Sequence, residues 1–486
     1  MTIASNNKQL YVLLVTTLSS FLTPFMGSAI NVALPAIAKE LSMNALSLSW
    51  VASSFILAAA ITLIPMGRLA DIHGRRIVFL YGAAIFTVSS LLCTWTPTQA
   101  FLIAARAIQG IGGAMIFSTG TAMLISAYPA GERGRFLGIN ITAVYVGLTI
   151  GPFIGGWVTQ YLGWRYIFLF TALLGVMIIF ITAALVEKDA SERKKEPFDF
   201  AGSVLYAIAL FAIMYGFSLL PGWNAGLLIG GGVLCLICFV FQQLKHPFPL
   251  LHLRLFLDNK VFAFSNLAAL INYSATFVVT FLLSLYLQNI KLLTPFQAGL
   301  TLIAAPAVQA LISPFAGRLS DRFEPQIIAS IGMGITVTGL VQLIFLNGGT
   351  SINYVLFCLV LLGVGFAFFS TPNVNATMSA VEKRYYGVAS ATLATMRLMG
   401  QMISMGITML VFAVILGSKP ISVATQHLFL ESSQLIFFIL SIICCGGIFA
   451  SLARGKMHNP TGGRFHKHRT PSGPAGGGTT DNNYNH

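Results

Sequence analysis

Apolar segments long enough to cross a bilayer as helices, each about 20 residues, recur along the chain between short polar or charged stretches. Fourteen are predicted, beginning near residues 10, 46, 77, 98, 135, 163, 200, 225, 260, 294, 326, 352, 386 and 433. Two connectors interrupt the rhythm. Glu187 to Asp199 packs nine charges into thirteen residues between spans six and seven, and Lys245 to Asn259, with Pro247 and Pro249, is basic and Leu/Phe-rich. The first reads as a solvated linker, and the second suits the headgroup layer. Beyond Ala453 the chain turns to Gly, Pro and polar residues, which predicts a disordered tail.

An internal repeat organises these spans. Gly67-Arg68-Leu69-Ala70-Asp71 recurs as Gly317-Arg318-Leu319-Ser320-Asp321, an offset of 250 residues, and Glu132 and Glu382 keep the same offset. The reading is therefore a six-span bundle over residues 1–186, a linker with two extra spans, expected to pack peripherally, and a basic connector over 187–259, a second six-span bundle over 260–453, and the tail over 454–486. Duplicated halves with an axis along the membrane normal place a substrate site between them near mid-membrane. Transport is the function class this predicts.

Composition changes the picture in one respect. Of 486 residues, 56% are hydrophobic and only 9% charged, against about 25% charged in a soluble protein. That excludes a water-soluble fold. The net charge of +14 would suggest nucleic acid in a soluble chain, but here it sorts by topology. With both termini cytoplasmic, 22 Lys and Arg fall in cytoplasmic segments, four outside (Lys39, Arg165, Lys291, Lys419) and two within spans (Arg106, Arg397), as the positive-inside rule requires. A multi-pass plasma-membrane protein without a nucleic-acid partner is expected. Its start, Met1 to Gln9, lacks the basic region and cleavage site of a removable signal. The same partition leaves no Asp, Glu or His inside a span, with Glu40 and Glu431 outside.

The six cysteines lie in apolar segments, where a thiol behaves as a small hydrophobe; no disulfide, metal site or cofactor is expected. Neither HExxH, a Walker loop nor a Gly-x-Ser-x-Gly elbow occurs, which argues against an enzyme and against ATP-driven pumping. A non-transporting sensor or scaffold remains the alternative to a transporter.

Three motifs carry a family resemblance. Gly67-Arg68-Leu69-Ala70-Asp71-Ile72-His73-Gly74-Arg75-Arg76 resembles the loop signature of the major facilitator superfamily. Arg106-Ala107-Ile108-Gln109-Gly110 resembles its second signature, and Gly147-Leu148-Thr149-Ile150-Gly151-Pro152-Phe153-Ile154-Gly155-Gly156 its antiporter signature. Asn31-Val32-Ala33-Leu34-Pro35 and Gly163-Trp164-Arg165-Tyr166-Ile167-Phe168, with fourteen spans, look like the drug:H+ antiporter branch. The resemblance implies an all-α membrane fold of two six-helix bundles plus two extra helices, exporting amphipathic small molecules by alternating access, as a monomer, with protons as the coupling ion. It also implies a latch between the halves built from Gly67, Asp71, Gly74, Arg75 and Arg76 with Gly317 and Asp321.

Read as chemistry, Gly147, Gly151 and Gly155 repeat every four residues with Pro152 and Gly156 beside them, a smooth stripe with an invited kink. An Arg in mid-span costs about 2.5–3.5 kcal/mol on insertion scales, so Arg106 and Arg397 should face a cavity or a partner. Substrate or coupling candidates are Arg106, Gln109, Asn31, Tyr145, Asn272, Tyr273, Asn373, Asn375, Arg397 and Gln401. The branch commonly places an Asp in the first span where this chain has Met26. Either boundary carboxylates such as Asp71, Glu132 or Asp321 couple protons, or the protein is not proton-coupled in that way. A cavity with arginines and no acid should favour neutral or acidic amphiphiles.

Overall fold

The computed structural model describes residues 2–129, 132–187, 197–382, 386–417 and 419–455, and these form helices without a strand. Most of the charged linker and residues 456–486, the expected tail, lie outside the described residues. Fourteen helices have membrane-spanning length and hydropathy: α1 (Gln9–Glu40), α2 (Ala45–His73), α3 (Arg75–Thr94), α4 (Gln99–Ala127), α5 (Gly134–Tyr161), α6 (Arg165–Leu185), α7 (Phe200–Ser218), α8 (Trp223–Lys245), α9 (Lys260–Ile290), α10 (Pro295–Ser320), α11 (Pro325–Ile344), α12 (Ile352–Ser379), α13 (Tyr386–Ile415) and α14 (Gln426–Ala453). An even number returns the chain to the face where it started. We call that the terminal face, and the other the far face.

Helix starts follow local side-chain chemistry. Asn44 caps α2 by accepting from Ser47 N at 2.7 Å, Asn259 caps α9 at 2.9 Å from Phe262 N, and Thr294 and Gln297 form a reciprocal capping box on α10. Gly74 turns the chain from α2 into α3 with φ of 106°, a conformation costly for any residue with a Cβ. That is the physical reason for the second glycine of the loop motif.

The duplication read from the loops extends to packing. In the first half α1 packs on α5 and α6, α2 on α4, and α3 on α4 and α6; in the second, α9 packs on α13 and α14, α10 on α12, and α11 on α12 and α14. Gly67 approaches Ser118 of α4, and its repeat Gly317 approaches Thr371 of α12. One bundle architecture has been built twice.

Three expectations need correction. The helices outrun their apolar cores by one to two turns, so α14 starts at Gln426 rather than near 433, and Glu40, Asp71, His73, His427 and Glu431 lie inside helices. Spans are bounded by lipid, but backbone hydrogen bonding continues into the headgroup layer. The basic connector does not simply lie on the membrane surface, because Pro249 to His252 line a cavity between the two bundles. Nor are the two extra helices both peripheral. α8 packs mainly on α7, whereas α7 touches α2 of the first half and α13 of the second. Trp50 of α2 meets Tyr215 at 6.3 Å between ring centroids, and Gly406 of α13 accepts the ring of Phe217.

Candidate functional site: a cavity between two bundles

The two halves meet toward the far face. In α1, Pro35 has no N–H to offer the carbonyl of Asn31 four residues earlier, and that carbonyl accepts from Ser284 Oγ of α9 at 2.6 Å. Gln288 Nε2 donates to Val32 O at 2.9 Å beside it. The Asn31-to-Pro35 motif thus presents free backbone to the other bundle. On the neighbouring seam, Gly156 of α5 lies on Pro295 and Phe296 of α10, Gly299 lies on Pro152, and Phe296 N donates to Gln160 Oε1 at 3.2 Å. On the opposite seam Ser53 of α2 reaches Met409 of α13.

Toward the terminal face the halves part around a cavity of about 950 Å³. Its walls come from α2 (Gly67, Arg68, Asp71), α4 (Ser118, Thr121), α13 (Ser390, Thr392, Thr395) and the connector (Pro249 to His252). Glu187 also lines it. The picture of an acid-free chamber is therefore wrong at this end, since two carboxylates from helix ends reach the wall. Asp71 is paired with Arg75 at 3.1 Å. His252 lies near Arg68, and burial first, then that positive charge, pull its pKa below the usual imidazole value.

None of the ten substrate or coupling candidates lines this cavity. Arg106 is 2% exposed within the first bundle: Nε donates to Val51 O at 3.2 Å, Nη1 to Gln109 Oε1 at 2.5 Å, and its guanidinium stacks on Phe55 at 4.5 Å. Gln109 passes the chain on to Ser90 Oγ at 2.7 Å. This arginine ties α2, α3 and α4 together, so of the two expected surroundings, a cavity or a partner, the structure gives it partners within the first bundle. Asn373 bonds Ser265 O at 3.1 Å and Asn375 bonds Ser320 Oγ at 3.0 Å, both inside the second bundle. Asn31 is buried in α1, and Tyr145 is half-buried on α5.

Arg397 behaves differently. It is half-buried, its guanidinium lies 5.5 Å above the ring of Tyr273, and Nε has no hydrogen-bond partner among the described residues. Asn272, beside Tyr273 on α9, is buried with Nδ2 also unpartnered. Gln401 is half-buried one turn further along α13. Each of these orphaned donors calls for an acceptor.

The signature motifs separate into distinct jobs. Arg75 bonds Asp71 and Ala122 O, while Arg76 donates to Val186 O, Thr182 O and Ala183 O at the end of α6. These contacts hold the first bundle and place a cation at a helix C-terminus, where the dipole favours it. The side chain of Asp321 lies outside the described residues. Gly147, Gly151 and Gly155 face Phe21, Ser28 and Ala29 of α1 within the bundle, so only Pro152 and Gly156 of that stripe belong to the seam between halves. Trp164 Nε1 donates to Glu40 Oε2 at 2.6 Å and Arg165 pairs with the same carboxylate, which clamps α6 to α1 at the far face.

Sequence reasoning missed the cavity wall itself. Ser118, Thr121, Thr392 and Thr395 are small polar residues at helical spacing. They differ little in sequence from the many Ser and Thr that bond their own helix, as Thr392 and Thr395 also do.

Two repeated six-helix bundles sharing one cavity define a multi-pass membrane transporter rather than an enzyme. The family description Major Facilitator Superfamily matches residues 16–405, and the chain belongs to that superfamily. It is 29% identical over 389 residues to the riboflavin transporter RibZ of Clostridioides difficile, covering 79% of this chain and 84% of that one. It is 32% identical over 409 residues to the multidrug resistance protein Stp of Mycobacterium tuberculosis, covering 83% and 75%. The cephamycin export protein CmcT of Amycolatopsis lactamdurans shares 30% over 455 residues, covering 91% and 93%. A solved bacterial homologue of the lysosomal transporter Spinster superposes with a TM-score of 0.67 at 15% identity, over 92% of this chain and 97% of that one.

Proposed function

We propose that the protein exports amphipathic small molecules by alternating access, acting as a monomer in the plasma membrane with both termini in the cytoplasm, and that the present structure is open to the cytoplasm. The observation that carries this reading is the asymmetry of the seam: hydrogen bonds and glycine contacts join the halves toward the far face, while a cavity of about 950 Å³ separates them at the terminal face. The positive-inside rule supplies the orientation, and relatives named for multidrug resistance and for cephamycin export support the direction.

For the substrate, the orphaned donors of Arg397 and Asn272 beside Tyr273 favour a neutral or anionic molecule with an aromatic face and hydrogen-bond acceptors. Asp71 does not oppose this, because Arg75 neutralises it. For coupling, Asp71, Glu187 and His252 are titratable groups on the cavity wall, so a proton-driven cycle would run through them and not through a mid-span acid.

The test is flux. Purified protein in liposomes is given riboflavin, a fluorescent flavin, or a quaternary ammonium dye, with and without an imposed pH gradient. Saturable riboflavin movement that Arg397→Ala weakens at least tenfold supports the proposal. Strong saturable export of the dye alone refutes the substrate class, indifference to the gradient removes proton coupling, and binding without flux of any probe leaves the sensor reading.

A further inference from the structure

The pair α7 and α8, absent from the duplicated core, ends in a polar cluster that neither bundle explains. Asp199 is 4% exposed just before α7. Its Oδ1 accepts from Gly202 N at 2.8 Å and from Gln242 Nε2 at 2.9 Å, and its Oδ2 accepts from Gln243 Nε2 at 2.6 Å. His246 Nε2 stands 3.9 Å from the same carboxylate. Gln243, 2% exposed, faces the other way with its carbonyl: Oε1 accepts from Leu250 N at 2.6 Å and Leu251 N at 3.2 Å. One buried amide therefore ties a buried carboxylate to the backbone of the connector. That connector segment, Pro249 to His252, lines the cavity together with α2, α4 and α13.

Closing the terminal face requires α2 and α4 of one half to approach α13 of the other. The connector segment shares that space, and α7, which follows the Asp199 anchor, packs along its length on both α2 and α13. We infer that Gln243, held by Asp199, is a positioning residue that keeps Pro249 to His252 in the cavity wall as a strap, and that this strap opposes closure of the terminal face. The inference rests on the alternating-access reading above. Releasing the strap removes a charge-assisted hydrogen bond whose net contribution corresponds to roughly a 10- to 150-fold change in an equilibrium. The open-to-closed ratio falls by about that factor.

The bond polarity supplies an internal control. In Gln243→Leu the donor and acceptor are both lost, and in Gln243→Glu two carboxylates face each other. Combining Gln243→Glu with Asp199→Asn restores the bond between the two side chains with its direction reversed: the new amide donates to the new carboxylate, which still accepts from Leu250 N and Leu251 N, and only the donation from Gln243 Nε2 to Gln242 Oε1 at 3.0 Å is given up. The experiment measures spin-label distances across the terminal opening, between Thr121→Cys and Ser390→Cys, in nanodiscs, with the six native cysteines replaced. The expected result is a shift toward the short distance in Gln243→Leu and Gln243→Glu, and return to the wild-type distribution in the double variant. If Gln243→Leu does not fold, Gln243→Glu carries the same expectation. Wild-type distances in both single variants, or a shift that the double variant fails to reverse, overturns the strap. A wild type that shows a single fixed distance under every condition overturns alternating access itself, which separates the two failures.

Discussion

Gly299 of α10 offers the sharpest perturbation of the seam. A Cβ built there lies 3.0 Å from the carbonyl carbon of Pro152 and closer still to its oxygen, and Gly156 Cα is 3.5 Å away. These neighbours are backbone atoms of α5, so no side-chain rotation relieves the overlap, and the helices must separate. Overpacking of this kind costs about 1–3 kcal/mol. Because the contact joins the two halves and exists only while the far face is closed, that cost falls on one conformation. Gly299→Ala is expected to reduce the population open to the terminal face by roughly 5- to 150-fold, following about a factor of ten per 1.4 kcal/mol. Spin labels at Trp95→Cys and Phe345→Cys, both exposed near the far ends of their bundles, would report longer separations. Gly147→Ala is the comparison: its Cβ would meet Phe21 O at 2.6 Å inside the first bundle, so it should lower thermal stability without changing those distances. Identical far-face distances in Gly299→Ala and wild type, in protein that remains folded, would refute the reasoning.

Other expectations follow from single contacts. Ser284→Ala leaves the carbonyl freed by Pro35 without its donor and should weaken far-face closure by about 1 kcal/mol, seen as faster thiol labelling of Gln288→Cys; unchanged labelling would count against it. Arg106→Ala removes bonds to Val51 and Gln109 and a stacked cation, so thermal unfolding should show a loss of about 2–4 kcal/mol; a purely kinetic defect at full stability would contradict the structural role. For Asp199, burial raises the pKa, but bonds from Gly202, Gln243 and Gln242 and the charge of His246 outweigh it, holding the carboxyl below its ordinary value. A lowered folded pKa stabilises above the unfolded value of about 3.9 and loses that contribution as pH falls through the folded value. Melting temperature should therefore drop on acidification below about pH 4, and Asp199→Asn should flatten that part of the profile.

The fourteen spans and their duplication were legible because lipid imposes a one-dimensional rule: every buried backbone group must be bonded within its own helix, so hydropathy and length suffice. The repeat of Gly67 to Asp71 at Gly317 to Asp321 carried the two-bundle plan for the same reason, since homologous segments pack alike. What a polar residue faces was not legible. Arg106 and Arg397 are both arginines in apolar helices, yet one is sealed against Val51 and Phe55 while the other keeps an orphaned donor over Tyr273. The glycine stripe of α5 likewise divides between α1 and α10 at adjacent residues, Gly155 and Gly156. Helical periodicity gives the angle of a side chain about its own axis, but its neighbour depends on how helices distant in sequence are arranged. For that reason the chain alone determined that this is a duplicated membrane transporter. Only tertiary packing decided that its halves are clasped toward the far face, and that a connector outside both repeats forms part of the cavity wall.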